Sequence, residues 1–323
     1  MSNLRAAIVG LGVMGRHHLR VLSSLEGVEL VGVFDPALHG NRQLAGVPVY
    51  SSLDSLLDAN LNYCVLSAPT SLHLPLGLQL AERGVHTLVE KPVAVNLNDS
   101  QVLVDAFSQR KLIGAVGYVE RFNPAIQALR QKIASGLVGE VYQIATRRQG
   151  PFPSRVSDVG VIKDLATHDI DLTMWIMGHN YQSISAHSTH RSGSEHEDMV
   201  VAVGKLEGGV IVNHLVNWLT PYKERCTTVV GELGALVADT LTADLTFYEN
   251  GTQADSWDGV SLFRGVSEGN MLRFALTKVE PLLAEHLAFR DAVRSGQTSN
   301  IVTLNQGTEA VRVAELISQS SQG

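Results

Sequence analysis

In the first third of the chain, short apolar runs alternate with segments whose apolar residues recur at helical spacing. Near-continuous apolar runs predict buried strands, and the amphipathic stretches between them predict helices. The predicted strands are Ala6–Val9, Val28–Phe34, Asn62–Leu66, Val85–Val89 and Leu112–Val116. Strands that are apolar on both faces and separated by helices are typical of a doubly wound parallel sheet, so we expect an α/β domain here.

The pattern changes after residue 119, where alternating strands follow one another through short turns such as Glu207-Gly208-Gly209. The predicted strands are Val138–Arg147, Tyr181–His190, Met199–Lys205, Val210–Asn217, Cys226–Gly231, Ala235–Thr240 and Leu245–Tyr248. The predicted helices are Pro124–Ala134, Lys163–Met177, Glu280–Arg294 and Asn305–Ser318. Sequential strands joined by short turns favour an antiparallel sheet. We therefore expect a first domain over 1–120 and, over 121–323, an α+β domain with a large, mostly antiparallel sheet.

Composition and charge narrow the classes of function. The 323 residues, 45% of them hydrophobic and 18% charged, suit two folded domains with sizeable cores. The net charge of −7 argues against nucleic-acid and anionic-membrane partners. Cys64 and Cys226 have no metal-binding spacing, and no apolar run reaches the about 18 residues of a membrane helix. We therefore expect a cytoplasmic protein without structural disulfides or thiolate metal sites.

A glycine motif, Gly10-Leu11-Gly12-Val13-Met14-Gly15, follows the first predicted strand and opens a helix. This is the Rossmann pattern, in which glycines allow a tight turn and let a dinucleotide diphosphate approach the helix N-terminus. Asp35 follows at the end of the next strand, where a carboxylate binds the ribose hydroxyls and repels a 2′-phosphate. The motif predicts NAD as the cofactor and makes NADP less favoured. The alternative is a glycine-rich turn that binds no ligand.

Two segments carry groups suited to alcohol oxidation, which needs a proton acceptor and a donor to the developing alkoxide. Lys91 lies after a predicted parallel strand, where open α/β sheets bind ligands. Asp164, His168 and Asp171 recur at i, i+4 and i+7, which predicts one helix face. His168 can accept the hydroxyl proton, and Asp164 can orient the His168 imidazole. Lys91 can donate a hydrogen bond to the substrate oxygen. The alternatives are a solvated lysine and an ordinary surface histidine.

Metal binding is a second interpretation of two histidine-containing segments. Asp164, His168 and Asp171 could together bind a metal, and so could His187, His190 and His196. Hydride transfer needs no metal, and turn-forming residues separate the last three histidines. We therefore expect no metal site.

These motifs together resemble the Gfo/Idh/MocA family of sugar-type oxidoreductases. The residues that carry the resemblance are Gly10–Gly15, Ala68-Pro69-Thr70 with His73, Glu90-Lys91-Pro92, Asp164-x-x-x-His168 and Glu280–Phe289. The resemblance implies an N-terminal Rossmann domain and a C-terminal domain with a large, mostly antiparallel sheet. In one respect the chain departs from the family, because residues 158–163 read DVGVIK where many members have a glycine-rich stretch.

The resemblance also implies the roles of individual residues. Lys91 would position the substrate, His168 would be the acid/base, and Asp164 would be its partner. The implied cofactor-binding residues are Gly10, Gly12, Val13, Met14, Gly15, Asp35, Ala68, Pro69, Thr70, His73, Glu90 and Lys91.

The predicted substrate is a sugar or nucleotide sugar. Val119–Pro124 and Gly150–Arg155 are similar to members of the UDP-N-acetylglucosamine 3-dehydrogenase-like type. Arginine forks suit a diphosphate. The predicted substrate-binding residues are Arg121, Asn123, Arg155 and Lys163, with Arg147 and Arg148 nearby in the sequence. The alternative is that several of the basic residues lie on the surface in ordinary ion pairs.

The predicted function is hydride transfer between a secondary alcohol of that substrate and NAD. Three alternatives stay open: an inositol or other polyol dehydrogenase, a sugar ketoreductase, and a non-catalytic sensor of dinucleotide or sugar. Because helices can cover only one face of the predicted antiparallel sheet, we also expect a homodimer or homotetramer.

Overall fold

The chain folds into two units in a computed structural model that describes residues 2–38, 43–153, 159–193, 195–251 and 268–321. The first unit comprises Met1–Val119 with Glu280–Glu315, and the second comprises Glu120–Val279 with Leu316–Gly323. Our sequence-based division assigned every residue after 120 to the second domain. The contacts instead place Glu280–Glu315 with the first unit, because this segment contributes to its core.

A five-stranded parallel sheet forms the centre of the first unit, in the order β2-β1-β5-β6-β7. Its strands are β1 Leu4–Val9, β2 Val28–Phe34, β5 Tyr63–Leu66, β6 His86–Val89 and β7 Gly114–Val116. A short hairpin, β3 Gln43–Leu44 and β4 Val47–Pro48, follows β2. The helices are α1 Val13–Leu22, α2 Leu53–Leu57, α3 His73–Glu82, α4 Leu97–Gln109 and α7 Pro281–Ser295. The predicted doubly wound α/β architecture is confirmed.

The core of the first unit explains why the C-terminal segment returns to it. Ile8 and Val65 of the central strands are fully buried, and Phe289 and Ala292 of α7 pack into the same cluster. The Phe289 ring meets the Tyr63 ring edge-on, with centroids 5.4 Å apart. Burial of these apolar groups fixes α7 against the parallel sheet.

An eight-stranded sheet forms the second unit, in the order β15-β14-β13-β12-β8-β11-β10-β9. Its strands are β8 Val141–Pro151, β9 Tyr181–Thr189, β10 Met199–Leu206, β11 Ile211–Asn217, β12 Leu219–Gly231, β13 Gly234–Asp239, β14 Asp244–Asn250 and β15 Glu268–Phe274. Among the strands that the structure describes in this sheet, only β8 and β11 pair in parallel, so the sheet is mostly antiparallel as predicted. The helices of this unit are α5 Pro124–Ala134 and α6 Thr167–Met177; the last helix of the chain is α8 Leu304–Ser320.

Burial alternates along the strands of this sheet. On β10, Val200 and Ala202 are buried, whereas Val201 and Val203 are exposed. The helices α5 and α6 pack on the first of these faces. The opposite face, which carries Val201 and Val203, is left exposed by the residues that the structure describes, and we call it the open face.

Among the described helices, none combines the length and the hydropathy that crossing a bilayer requires.

Candidate active site

The predicted glycine turn joins β1 to α1 in the first unit. Gly10 has φ +91°, and a Cβ at this position would lie 2.5 Å from the Ala68 nitrogen. A Cβ on Gly15 would lie 2.1 Å from the Gly10 oxygen, so only glycine lets α1 approach the turn this closely. Gly12, the N-cap of α1, borders open space and provides no side-chain cap. The positive end of α1 is therefore available to an anion such as a diphosphate.

The Asp35 carboxylate lies beside this turn, as the motif predicts. Its Oδ2 accepts a hydrogen bond from the Leu11 backbone nitrogen at 2.6 Å, and its Oδ1 accepts one from Ala37 at 2.8 Å. Because both oxygens are anchored to the backbone, the carboxylate is held at the carboxyl end of β2. This placement fits a dinucleotide whose diphosphate lies at α1 and whose ribose lies at Asp35.

His73 connects two of the predicted cofactor-binding loops. Its Nδ1 lies 3.0 Å from the Pro92 oxygen, and its Nε2 lies 2.9 Å from the Ala68 oxygen. Burial lowers the pKa of His73, although both carbonyls favour the protonated ring. The imidazole nitrogens are thus directed to the backbone, and His73 positions the loops at Ala68 and Pro92.

Glu90 belongs to a buried chain of polar side chains that also includes His18 and His286. One Glu90 oxygen lies 2.8 Å from His18 Nε2, and His18 Nδ1 lies 2.8 Å from His286 Nε2. Burial raises the pKa of Glu90, but the His18 hydrogen bond and the charge of Lys91 outweigh it and the net shift is downward. Burial, reinforced by His18, holds the pKa of His286 well below its ordinary value. The arrangement therefore fits an ionised Glu90 that accepts from His18, and a neutral His286.

Lys91 follows Glu90 at the carboxyl end of β6. Its backbone nitrogen donates to the other Glu90 oxygen at 3.1 Å, and the Lys91–Pro92 peptide bond is cis. The Lys91 side chain is half-buried. Sequence reasoning identified Glu90 and Lys91 but not the support from His286, because 268 residues separate His286 from His18.

The second unit carries Lys163, Asp164 and His168 on a helix that begins with a π turn over Ile162–Ala166. The Thr167 nitrogen donates to the Ile162 oxygen, five residues earlier. Asp164 is buried, whereas Lys163 and His168 are half-buried. A π turn changes the angular offset between successive side chains, and such turns are frequent at functional sites.

The predicted single face of Asp164, His168 and Asp171 stays a prediction, and the structure shows different surroundings for Asp164 and Asp171. Asp164 lies in the π turn, so the α-helical spacing does not apply to it. Asp171 is fully buried and forms a bidentate ion pair with Arg121, at 2.7 Å from Nε and 2.5 Å from Nη2. Within the described ranges, no three His, Cys, Asp or Glu residues form a cluster that could hold a metal ion.

Glu197 supports the start of this helix. Its Oε1 accepts from the Ile162 nitrogen at 3.0 Å, and its backbone oxygen accepts from Val161 at 2.9 Å. A Cβ on Gly160 would lie 2.1 Å from the Glu197 carboxylate, so Gly160 leaves room for it. A carboxylate at a helix N-terminus also interacts favourably with the helix dipole. The sequence held no signal for this contact.

The predicted substrate-binding residues have different surroundings. Arg121 is buried against Asp171 and lies over the Trp175 ring at 5.7 Å. Asn123 caps α5 through its Oδ1 and donates to the Thr240 oxygen at 3.0 Å. Both side chains thus have structural tasks. Lys163 lies in the π turn beside Asp164, and Arg155 lies outside the described residues.

The two neighbouring arginines of β8 point to opposite faces of the sheet. Arg147 pairs with Glu224 at 2.6 Å on the open face. Arg148 is buried on the helix-covered face, where it pairs with Asp169 and Glu120, each at 2.9 Å.

Comparison with known proteins decides the family. The sequence model described as "Oxidoreductase family, NAD-binding Rossmann fold" matches residues 4–118, and the Gfo/Idh/MocA C-terminal domain matches residues 126–237. The chain belongs to the Gfo/Idh/MocA oxidoreductase family. The resemblance stated from the motifs is confirmed, and with it the NAD-binding oxidoreductase class.

Two curated relatives of the chain have names that specify different substrates. UDP-N-acetylglucosamine 3-dehydrogenase of Acidithiobacillus ferrooxidans is 31% identical over 216 residues, which cover 66% of each protein. The scyllo-inositol 2-dehydrogenase of Bacillus subtilis is 30% identical over 194 residues, or 57% of each. The matched segments thus span about two thirds or less of these relatives.

Solved structures resemble the chain over nearly its full length. The UDP-N-acetylglucosamine 3-dehydrogenase from Acidithiobacillus ferrooxidans has a TM-score of 0.86 at 25% identity, covering 99% of this chain and 98% of its own. An inositol dehydrogenase homologue from Azotobacter vinelandii, complexed with NADH and myo-inositol, has a TM-score of 0.82 at 18% identity, covering 99% and 96%. The second likeness shows the fold alone.

Proposed function

We propose that this protein is an NAD-dependent dehydrogenase that oxidises a secondary hydroxyl of a nucleotide sugar. The observation that carries the proposal is the carboxyl edge of the parallel sheet in the first unit. The glycine turn after β1, Asp35 after β2 and Lys91 after β6 all lie at this edge, because the strands are parallel. Open α/β sheets bind their ligands at this edge.

The residues of the glycine turn and Asp35 would hold the cofactor. The backbone nitrogens at Gly12, Val13 and Met14 would receive the diphosphate, and Asp35 would accept hydrogen bonds from the adenosine ribose. The loop at Ala68–Thr70 borders the same turn through the close approach of Ala68 to Gly10. Bound there, NAD supplies the hydride acceptor.

Lys91, His168 and Asp164 would carry the proton chemistry. The Lys91 ammonium would donate to the substrate oxygen and stabilise the developing alkoxide. The half-buried His168 imidazole would accept the hydroxyl proton, and the buried Asp164 carboxylate would stabilise the resulting imidazolium. His18 and Glu90 would position Lys91 through the Glu90 contact with its backbone nitrogen.

The nucleotide-sugar substrate is supported by the relative from Acidithiobacillus ferrooxidans, which matches at 31% identity in sequence and with a TM-score of 0.86 in structure. A neutral polyol is the second candidate, since the scyllo-inositol 2-dehydrogenase is 30% identical. The test measures the rate of NADH formation by absorbance when the protein is incubated with NAD and one candidate substrate. The candidates are UDP-N-acetylglucosamine, other nucleotide sugars, free hexoses and inositols. We expect the highest kcat/KM with a nucleotide sugar; faster turnover of a free polyol would overturn this assignment.

The open face of the sheet supports a homo-oligomer as part of this proposal. Cross-strand register places Val201, Val203, Ile211, Tyr248 and Met271 on this face, and each is at least 42% exposed. An exposed apolar face of this kind marks an interaction surface. A second copy of the chain would bury it.

A further inference from the structure

Arg225 lies on β12 directly opposite Arg148 of β8. Directly opposed residues of an antiparallel pair project to the same side of a sheet. Arg225 therefore shares the helix-covered face with Arg148, next to the helix that carries Asp164 and His168. Neither composition nor any motif distinguishes Arg225 from the other arginines of the chain.

The two arginines differ in their counterions. Arg148 is neutralised by Asp169 and Glu120. Arg225 instead donates through Nη1 to two backbone oxygens, those of Gln149 at 2.6 Å and Glu224 at 2.8 Å. No carboxylate of the described residues lies within ion-pair distance of it. The carbonyl contacts hold the guanidinium in place and leave Nε and Nη2 to donate elsewhere.

The electrostatic setting of Arg225 favours an incoming anion. The side chain is half-buried, and a partly buried cation without a counterion is costly. Burial lowers the pKa of Arg225, and the positive charge of Arg148 lowers it further. The charge of Asp164 is among those that raise the pKa of Arg225, so the guanidinium and this carboxylate of the predicted acid/base pair interact electrostatically. By contrast, the carboxylates that pair with Arg148 raise the pKa of that residue despite its burial.

We propose that Arg225 binds an anionic group of the substrate, a phosphate or a carboxylate, beside the turn that carries Asp164. The proposal rests on the proposed function and deepens it, since it assigns a residue that separates charged sugars from neutral polyols. The free edge of a guanidinium forms two parallel hydrogen bonds to either anion.

The test compares Arg225→Gln and Arg225→Lys with the wild type. Isothermal titration calorimetry of the NAD-saturated protein measures binding of UDP, glucuronate and inorganic phosphate. We expect Arg225→Gln to lower the affinity for whichever of these anions binds the wild type most tightly by about 10- to 100-fold, and Arg225→Lys to lower it less. If UDP binds the wild type most tightly, the anionic group of the substrate is a diphosphate. If glucuronate binds most tightly, the group is a carboxylate. Arg191→Gln, which removes an exposed arginine of the same unit, should bind as the wild type does.

Steady-state kinetics separate recognition from a structural role. Arg225→Gln should raise KM for the charged substrate and leave kcat/KM for a neutral polyol unchanged. The proposal would be overturned if the wild type bound none of the anions, or if wild type and Arg225→Gln bound them equally. It would also be overturned if Arg225→Gln lost the same factor in kcat/KM on charged and neutral substrates. If no alcohol is oxidised at all, the proposed dehydrogenase function fails, while the calorimetry still decides the role of Arg225.

Discussion

Asp35 and Glu90 are two carboxylates of the first unit whose hydrogen bonds give them different tasks. Asp35 is half-buried and is oriented by two backbone nitrogens beside the glycine turn. Glu90 is buried and is committed to His18 and to the backbone of Lys91. We propose that Asp35 accepts hydrogen bonds from a ligand and that Glu90 positions Lys91, the residue that follows it.

Asp35 should set the choice between the two nicotinamide cofactors. Its negative charge would repel a 2′-phosphate, and its oxygens would accept hydrogen bonds from the ribose hydroxyls. We expect the wild type to bind NADH more tightly than NADPH, and Asp35→Ala to narrow the difference by about tenfold or more. Fluorescence titration of both reduced cofactors measures this. Equal affinities in the wild type, or tighter binding of NADPH, would contradict the assignment.

Local sequence patterns predict candidate site residues only where a strand end or a short spacing fixes their position. The glycine turn, Asp35 and Lys91 follow from strand ends and short spacings. The sequence shows that Arg121 is charged, but not that Asp171 neutralises it. His286 and Glu197 act across long separations and leave no local pattern.

At the scale of elements, the start of the helix over residues 162–177 differs most from the sequence-based expectation. The apolar spacing there predicts an ordinary α-helix, yet its first turn is a π turn held by Glu197. Ile162 and Leu165 are buried in the π turn, as the apolar spacing of an α-helix also predicts, so hydrophobic periodicity gave no sign of the π turn. The edge strand β15 was also missed, since its residues are largely exposed and show no buried alternation.

Gly160 and Glu197 should behave as one unit. An alanine at 160 would displace the Glu197 carboxylate, which is the group that Glu197→Ala removes. We expect each single variant to lose about 1 kcal/mol, seen as a melting temperature lower by about 2–4 °C, and to lower kcat. The double variant should be no worse than either single variant. Additive losses in differential scanning calorimetry would show that the two residues act independently.

For the whole molecule, the parallel and antiparallel sheets were predictable from the sequence. The packing of the C-terminal segment Glu280–Glu315 with the first unit was not. Strand patterning and turn spacing indicate the type of each sheet. An amphipathic helix such as α7 shows that one face is buried, but not against which unit. Phe289 and Ala292 decide this by packing beside the β strands of the first unit.

The open sheet face should mediate self-association. Val203 is 53% exposed there, and Val203→Glu would place a charge inside the proposed interface. We expect light scattering to give a dimer or tetramer for the wild type and a smaller mass for Val203→Glu. Val102→Glu, which adds the same charge to a 38% exposed position on α4, serves as the control and should keep the wild-type mass. A monomeric wild type at working concentrations would contradict the oligomer.

We propose that Lys91 and His168 perform alcohol oxidation with NAD, and turnover of a nucleotide sugar by the two alanine variants tests this proposal most directly. NADH formation is measured for wild type, Lys91→Ala and His168→Ala, each saturated with NAD at its own measured affinity. Loss of the proton acceptor or of the donor should lower kcat by about 10²- to 10⁴-fold with cofactor binding nearly unchanged. Near-normal kcat in both variants would contradict the account.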